Sequence, residues 1–266
     1  MSVRLVAFDL DGTLVGRDLI VRRRVRDAIA RMRDQGIDGC IVTGRMYRAA
    51  VSYARELGFV APLVCYQGAA IVDPAGDLML REVPIAADLT AEIAEFARGD
   101  GMHVQLYRDD RYFCEARNRY SDLYASLSGV EPEIVPSLAA AFAGRGATKA
   151  VIIGDPDRAA SYITRVEGHF AGRLYVTRSY PEFIELLNPR VDKGEALRFV
   201  AARMGIGIDE VAAIGDSWND APLLEAAGLG IAMGSAPPEL RSVAYAEVAD
   251  VANDGVAEAI DRYVLA

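Results

Sequence analysis

The chain has 266 residues, 52% of them hydrophobic, and its 38 acidic side chains outnumber 29 basic ones for a net charge of −9. That length suits two domains, or one large α/β domain carrying an insertion, and the composition excludes wholesale disorder. An acidic balance without a basic stripe excludes a nucleic-acid partner, and no apolar run approaches the roughly 18 residues of a membrane span.

Cys40, Cys65 and Cys114 are odd in number and too widely spaced for a CxxC pair, which suits a reduced, cytoplasmic protein; Cys40 and Cys65, in apolar runs, read as small buried hydrophobes. The opening segment meets Asp9 before any leader-like apolar stretch can develop, which argues against a signal peptide.

In chain order, an apolar run over 3–8 ends at Asp9, and a helix is expected over 21–35. A second run, 40–42, ends in Thr43-Gly44-Arg45 and precedes a helix over 46–57. A third, 63–66, ends in Gln67-Gly68. A hairpin follows, 70–73 with 77–79, turning at Pro74-Ala75-Gly76. Unalternated runs of this kind are the pattern of parallel strands buried on both faces.

The middle of the chain reads differently. It offers a helix at 86–98, strands at 102–107 and 111–115 around Arg108-Asp109-Asp110, and a strand at 148–153. A helix at 156–170 and strands at 173–178 and 182–187, joined near Ser179-Tyr180-Pro181, complete it. Helix, hairpin, helix, hairpin predicts a separate module with an antiparallel sheet at 84–187, inserted into a parallel-sheet domain formed by 1–83 and 188–266. The parallel pattern then resumes with a helix at 193–204, a strand at 211–214 ending in Gly215-Asp216, a helix at 218–226 and a strand at 229–233.

Polar residues gather just after these strands, where open α/β sheets bind their ligands. Asp9 and Asp11, two apart at a strand end and followed by Gly12, can converge on one hard cation, although a turn with solvated acids has the same pattern. Asp216 and Asp220 are spaced so that a helix from Trp218 turns both toward one mouth; helix capping is the alternative. Thr43, Gly44 and the helix start after them make a phosphate-sized anion cradle. Lys193 opens a helix, where a cation is disfavoured unless an anion faces it. The alternative there is an exposed, solubilising lysine.

Taken in order, FDLDGTL at 8–14, VTGR at 42–45, Lys193 and GDSWND at 215–220 resemble the haloacid dehalogenase-like hydrolase superfamily. The insertion between the second and third motifs is similar to that of its Cof-type phosphatases, and Asn253-Asp254-Gly255-Val256 extends the likeness toward the C-terminus. The resemblance implies a Rossmann-like core with helices on both faces and a mobile α+β cap.

It also implies a mechanism. Asp9 attacks phosphorus and becomes an aspartyl-phosphate, while Asp11 protonates the leaving alkoxide and later accepts a proton from water. Mg²⁺ is held by the Asp9 carboxylate, the Asp11 carbonyl and Asp216, with Asp220 behind them. Thr43, Gly44, Lys193 and Asn219 bind phosphoryl oxygens, and Arg45 reaches toward substrate. The implied partner is a small phosphorylated metabolite, a sugar phosphate or a phosphorylated cofactor or precursor, with no membrane or nucleic acid involved. The chain is expected as a monomer or homodimer.

Two departures stand out: Gln67 replaces an asparagine common among relatives, and Asp192 places beside Lys193 a negative neighbour able to form a local pair and tune it. A sugar phosphomutase using the same intermediate is the alternative activity, and the compact GDSWND loop weighs against it. A phospho-accepting or binding module is the remote alternative.

The remaining residues have structural readings. His103 and His169, both in the inserted module, offer no zinc ligand set. Tyr107, Tyr112, Tyr120 and Tyr124 are expected to pack on the cap sheet, and Trp218 to pack beneath the metal loop. Arg22, Arg23 and Arg24 suit a solvated helix start, and Arg108, Arg117 and Arg178 are candidates for substrate contact. Of the 29 cationic side chains all are arginine except Lys149 and Lys193; Lys149, just before a strand, is expected to be exposed.

Overall fold

The computed structural model describes residues 2–266. The chain divides into two units, one formed by residues up to Arg81 together with Asp192–Ala266, the other by Glu82–Val191.

The first unit begins with β1 (Leu5–Phe8), α1 (Arg23–Asp34), β2 (Asp38–Ile41) and α2 (Val51–Leu57). A hairpin region of β3 (Leu63–Cys65), β4 (Ala70–Asp73) and β5 (Leu78–Glu82) follows. All four residues of β1 are buried, so both faces of the strand are covered. Leu5 and Ala7 share a core with helical residues such as Leu197, Val200 and Leu223; Val6 and Phe8 alternate with them and face the other way. In α1 the buried positions are Val25, Ala28, Ile29 and Met32, the i, i+3, i+4, i+7 stripe of an amphipathic helix.

The inserted unit contains α3 (Ala87–Gly99), β6 (His103–Arg108), β7 (Arg111–Cys114), α4 (Arg119–Ser128), β8 (Glu133–Ile134) and α5 (Leu138–Ala141). It closes with β9 (Lys149–Ile153), α6 (Pro156–His169), β10 (Tyr175–Arg178) and β11 (Phe183–Leu187). Its sheet runs β10-β11-β9-β6-β7-β8, antiparallel throughout except for the β7–β8 edge. Leu106, Ile152 and Ile184 pack with Ile93, Ala97, Tyr162 and Val166 of α3 and α6.

The chain then returns to the first unit with α7 (Lys193–Arg203), β12 (Val211–Gly215), α8 (Ala221–Ala226), β13 (Leu229–Ala232), α9 (Pro238–Val243), β14 (Ala246–Glu247) and α10 (Gly255–Ala259). The parallel sheet has the order β14-β13-β12-β1-β2, with β1 between β12 and β2. This is the expected Rossmann-like architecture with a separate antiparallel sheet. Among the described residues, no helix is long and apolar enough to cross a membrane.

Three expectations change. The run at 63–66 is not another member of the parallel sheet. β3 pairs antiparallel with β4 and keeps only a single parallel bridge, Val42 to Val64, because the chain reverses at once through a left-handed turn. The helices expected over 46–57 and 218–226 each begin with a 3-10 turn, Tyr47–Ala49 and Trp218–Asp220. Pro222 then sits at the second position of α8, where its missing N–H costs nothing.

The third change is Lys149, which is only 2% exposed. It is the first residue of β9, opposite Tyr107, and its side chain lies on the sheet face away from α3 and α6. There Lys149 Nζ stands 3.3 Å from Glu185 Oε2 and 5.1 Å from the centre of the Tyr107 ring. Glu185 also accepts from Ser179, and the Tyr107 hydroxyl donates to Gln105 Oε1 at 2.8 Å. Tyr107 and Tyr112 are buried and stacked, and Tyr124 packs edge-on against both. His103 bonds Gln105 and Asn118, while His169 bonds Glu92. The three cysteines are buried, with no disulfide between them.

A buried ion pair holds its partners hostage to each other. Lys149→Met should destabilise the protein by about 3–5 kcal/mol in urea unfolding, because it leaves Glu185 buried without its cation. Lys149→Met combined with Glu185→Leu should recover most of that loss.

Candidate active site

Four loops at the carboxyl edge of the parallel sheet build the site. The first follows β1. Asp9 still belongs to the ladder, its N–H donating to Ile214 O at 2.9 Å, which fixes its backbone beside β12. The chain turns at Gly12, with φ of +85°, where a Cβ would stand 2.2 Å from Asp216 Oδ2. No side chain fits there, so glycine brings the first loop against the fourth. Thr13 Oγ1 adds a hydrogen bond of 3.2 Å to Asp216 Oδ1.

Asp216 and Asp220 come from the loop after β12. Carboxylate oxygens of Asp9, Asp216 and Asp220 lie within 4.8 Å of one another. Lys193, at the start of α7 and 1% exposed, meets two of them: Nζ donates to Asp9 Oδ1 at 2.5 Å and to Asp220 Oδ1 at 2.6 Å. Asp220 Oδ2 accepts from the backbone N–H groups of Asp216 and Ser217, at 2.9 and 3.0 Å. One carboxylate thus closes its own loop and seats the lysine.

The exposed-lysine alternative for Lys193 is removed by this burial. Asp192 does not pair with it: its carboxylate caps α7, accepting from Glu195 N at 2.8 Å, since the residue before a helix points its side chain at the free amides. Trp218 also departs from expectation. It is 41% exposed, because Asn219 and Asp220 are the inward-facing residues of the 3-10 turn.

The electrostatics follow from three acids sharing one buried lysine. Burial pushes Asp9 well above the usual carboxylate range, and Asp220 and Asp216 add to the shift against the opposing pull of Lys193. Burial, and then Asp220, raise Asp216 to about 7. Burial alone would lower Lys193, but Asp220 and Asp9 outweigh it and hold the ammonium charged. The cluster is short of positive charge, and its donors are carboxylate oxygens, the set preferred by a hard divalent cation. Mg²⁺ fits it.

Asp11 faces elsewhere. Arg45 Nε and Nη2 reach its two oxygens at 2.8 and 2.5 Å, so its carboxylate is not one of the three clustered acids. Thr43 is buried and its Oγ1 accepts from Arg45 N at 3.1 Å. Gly44 abuts the amide of Gln67. Asn219 Nδ2 donates to Gln67 Oε1 at 3.0 Å. Sequence reasoning assigned no role to Thr13 and left Gln67 as a departure; the positive φ shared by Tyr66 and Gln67 has no sequence signal comparable to a glycine.

A parallel sheet with acids at adjacent strand ends, a buried lysine and a hydroxyl-glycine loop is a setting suited to phosphoryl chemistry. The chain matches the haloacid dehalogenase-like hydrolase family over residues 6–260, and it belongs to that family. It is 26% identical to 5-amino-6-(5-phospho-D-ribitylamino)uracil phosphatase of Bacillus subtilis, over 97% of both chains. A crystal structure of a haloacid dehalogenase-like hydrolase from Bacteroides thetaiotaomicron superposes with a TM-score of 0.86 at 28% identity, covering 98% of this chain and 99% of that one. A subclass IIB sugar phosphatase of the superfamily shares the fold at a TM-score of 0.89 and 19% identity, over 99% and 100% of the two chains. The chain is a phosphoric monoester hydrolase of this family.

Cation binding should depend on pH with a definite sign. Asp216 titrates near 7 in the folded chain and near 3.9 when unfolded, so the folded form binds more protons between those values. Without metal, protonated Asp216 stabilises the fold below about pH 4, and that stability is lost as pH rises through 7. Mg²⁺ competes with those protons, so the rise in Tm caused by Mg²⁺ should grow from pH 5.5 to 8. Asp216→Asn should flatten that dependence in differential scanning calorimetry.

Proposed function

We propose that the chain is a Mg²⁺-dependent phosphatase of a small phosphorylated metabolite, working through an aspartyl-phosphate on Asp9. The observation that carries this reading is Lys193, buried between Asp9 and Asp220 at 2.5 and 2.6 Å. A lysine so placed orients the Asp9 carboxylate and provides fixed positive charge for a phosphoryl group. Asp9, Asp216 and Asp220, with the Asp11 carbonyl, are the groups that would hold Mg²⁺. When bound, the ion supplies the charge that lets these acids ionise together and offsets the phosphate dianion.

In the first step a carboxylate oxygen of Asp9 forms a bond to phosphorus as the ester P–O bond breaks, and the departing alkoxide takes a proton from Asp11. In the second, water attacks the same phosphorus and gives a proton to Asp11. The bond to Asp9 breaks, and inorganic phosphate leaves. Arg45 must exchange Asp11 for a substrate oxygen before the first step, because its guanidinium occupies both Asp11 carboxylate oxygens. Thr43, Gly44 and Asn219 receive the phosphoryl oxygens.

The substrate class rests on kinship with an enzyme of a phosphorylated ribitylaminouracil. The unit inserted at 84–187 is read as the cap that selects among esters. A panel of phosphomonoesters with Mg²⁺, ranked by kcat/KM, tests the reading, and isomerisation without phosphate release would point to a mutase instead.

Two substitutions test the roles. Asp9→Asn should leave less than about a hundredth of wild-type turnover while the protein stays folded, since it removes the nucleophile and little volume. Lys193→Arg should lower kcat/KM at least about tenfold, because the planar guanidinium cannot occupy the space of an ammonium. Close packing at Gly194, whose Cβ would meet Pro222 O at 2.3 Å, leaves the start of α7 little room to adjust.

A further inference from the structure

The turn after β3 touches three of the four motif loops, and its central side chain has no part in the chemistry described so far. Tyr66, Gln67 and Gly68 all have positive φ, at 52°, 57° and 103°. Two of the three carry side chains, so the segment holds backbone strain that its surroundings must enforce. Tyr66 N donates to Arg45 O and Gln67 N to Thr43 O, both at 3.0 Å. A Cβ at Gly68 would lie 2.4 Å from the carbonyl oxygen of Asp192, the residue before Lys193. The backbone is therefore stitched to the Thr43 loop and pressed on the start of α7.

The Gln67 side chain completes the connection. It is 1% exposed. Its Nε2 lies 2.4 Å from where a Cβ at Gly44 would be, so the amide fills the space that glycine leaves open. Its Oε1 accepts from Asn219 Nδ2 at 3.0 Å. Asn219 Oδ1 is buried and has no hydrogen-bond partner. A side-chain amide can present either its oxygen or its nitrogen in a given direction. Here the Gln67 oxygen accepts only from the nitrogen, which fixes the direction of the whole Asn219 amide.

We propose that Gln67 is a positioning residue for phosphate binding: it sets the Asn219 amide so that an N–H rather than the oxygen meets a phosphoryl group, and it holds Gly44 in place beside it. The proposal rests on the phosphatase reading. A left-handed position favours glycine or asparagine over glutamine, and the longer amide is the group that spans from this backbone to Asn219.

Gln67→Asn separates contact from strain, since asparagine tolerates the backbone but withdraws the amide by one methylene. Affinity for inorganic phosphate in the presence of Mg²⁺, and kcat/KM for a phosphomonoester, should each fall about tenfold. Tm should stay the same or rise. In an Asn219→Ala background the same change should cost less than about twofold, the non-additivity of residues in direct contact. Equal losses in both backgrounds, or a Gln67→Asn protein as active as wild type, overturn the proposal. Should Gln67→Asn fail to fold, Gln67→Met, with similar length and no hydrogen bond, is read in the same cycle against the same criteria. A wild-type chain that binds phosphate but hydrolyses no ester refutes the hydrolase reading and leaves the coupling measurable; one that binds no phosphate overturns both.

Discussion

Lys193 joins two acids that would otherwise repel each other. Asp9 comes from the first strand of the chain and Asp220 from a loop more than two hundred residues later, and the ammonium between them is completely buried. Removing a lysine from water costs several kcal/mol, and only two close carboxylates can hold it charged there. The same contact aligns β1, β12 and α7 around one point. If the lysine is displaced, the two acids repel and the loops after β1 and β12 lose their common anchor.

That arrangement is closed from behind by missing side chains. Gly12 admits Asp216, Gly215 admits Asp220 and Gly194 admits the backbone at Pro222. Each allows a charged group or a carbonyl to approach a neighbouring main chain more closely than any Cβ permits. The acids therefore cannot spread apart to relieve their mutual repulsion, and their protons or a cation must do so instead. Rigid glycine contacts and raised carboxylate pKa values are two aspects of one design.

The legible parts of the molecule were those in which residue type and position carry the same message. Buried parallel strands ending in Asp9, Thr43 and Gly215 were visible because their apolar runs stop abruptly at polar residues. The inserted sheet was visible through its hairpins. α4 was not foreseen, although Asn118 and Ser121 form a reciprocal cap at its start and Gly129 ends it; its mixed polar surface hides the usual stripe. The burial of Lys149 is not legible, because composition says nothing about a partner thirty-six residues away and a strand-end lysine normally reaches water. The direction of Trp218 is not legible from its place in the loop, and neither is the choice of Asp192 to cap α7, since adjacent residues at a helix start point to opposite sides. The sheet to which β3 belongs is not legible, because three apolar residues look alike whether the chain then crosses over or doubles back.

The pairing of β1 with β12 has a consequence for biogenesis. β1 is an inner strand of its sheet, yet one of its neighbours lies about two hundred residues further along the chain, as Leu5 opposite Val211 shows. On the ribosome, β1 and β2 emerge early with one edge unsatisfied, and they must wait while the whole of the inserted unit is made. That unit pairs its own strands over much shorter separations and has its own apolar core, so it is able to fold during the wait. Long-range parallel pairing thus makes the nascent chain vulnerable at its oldest segment, and the insertion lengthens the interval of exposure.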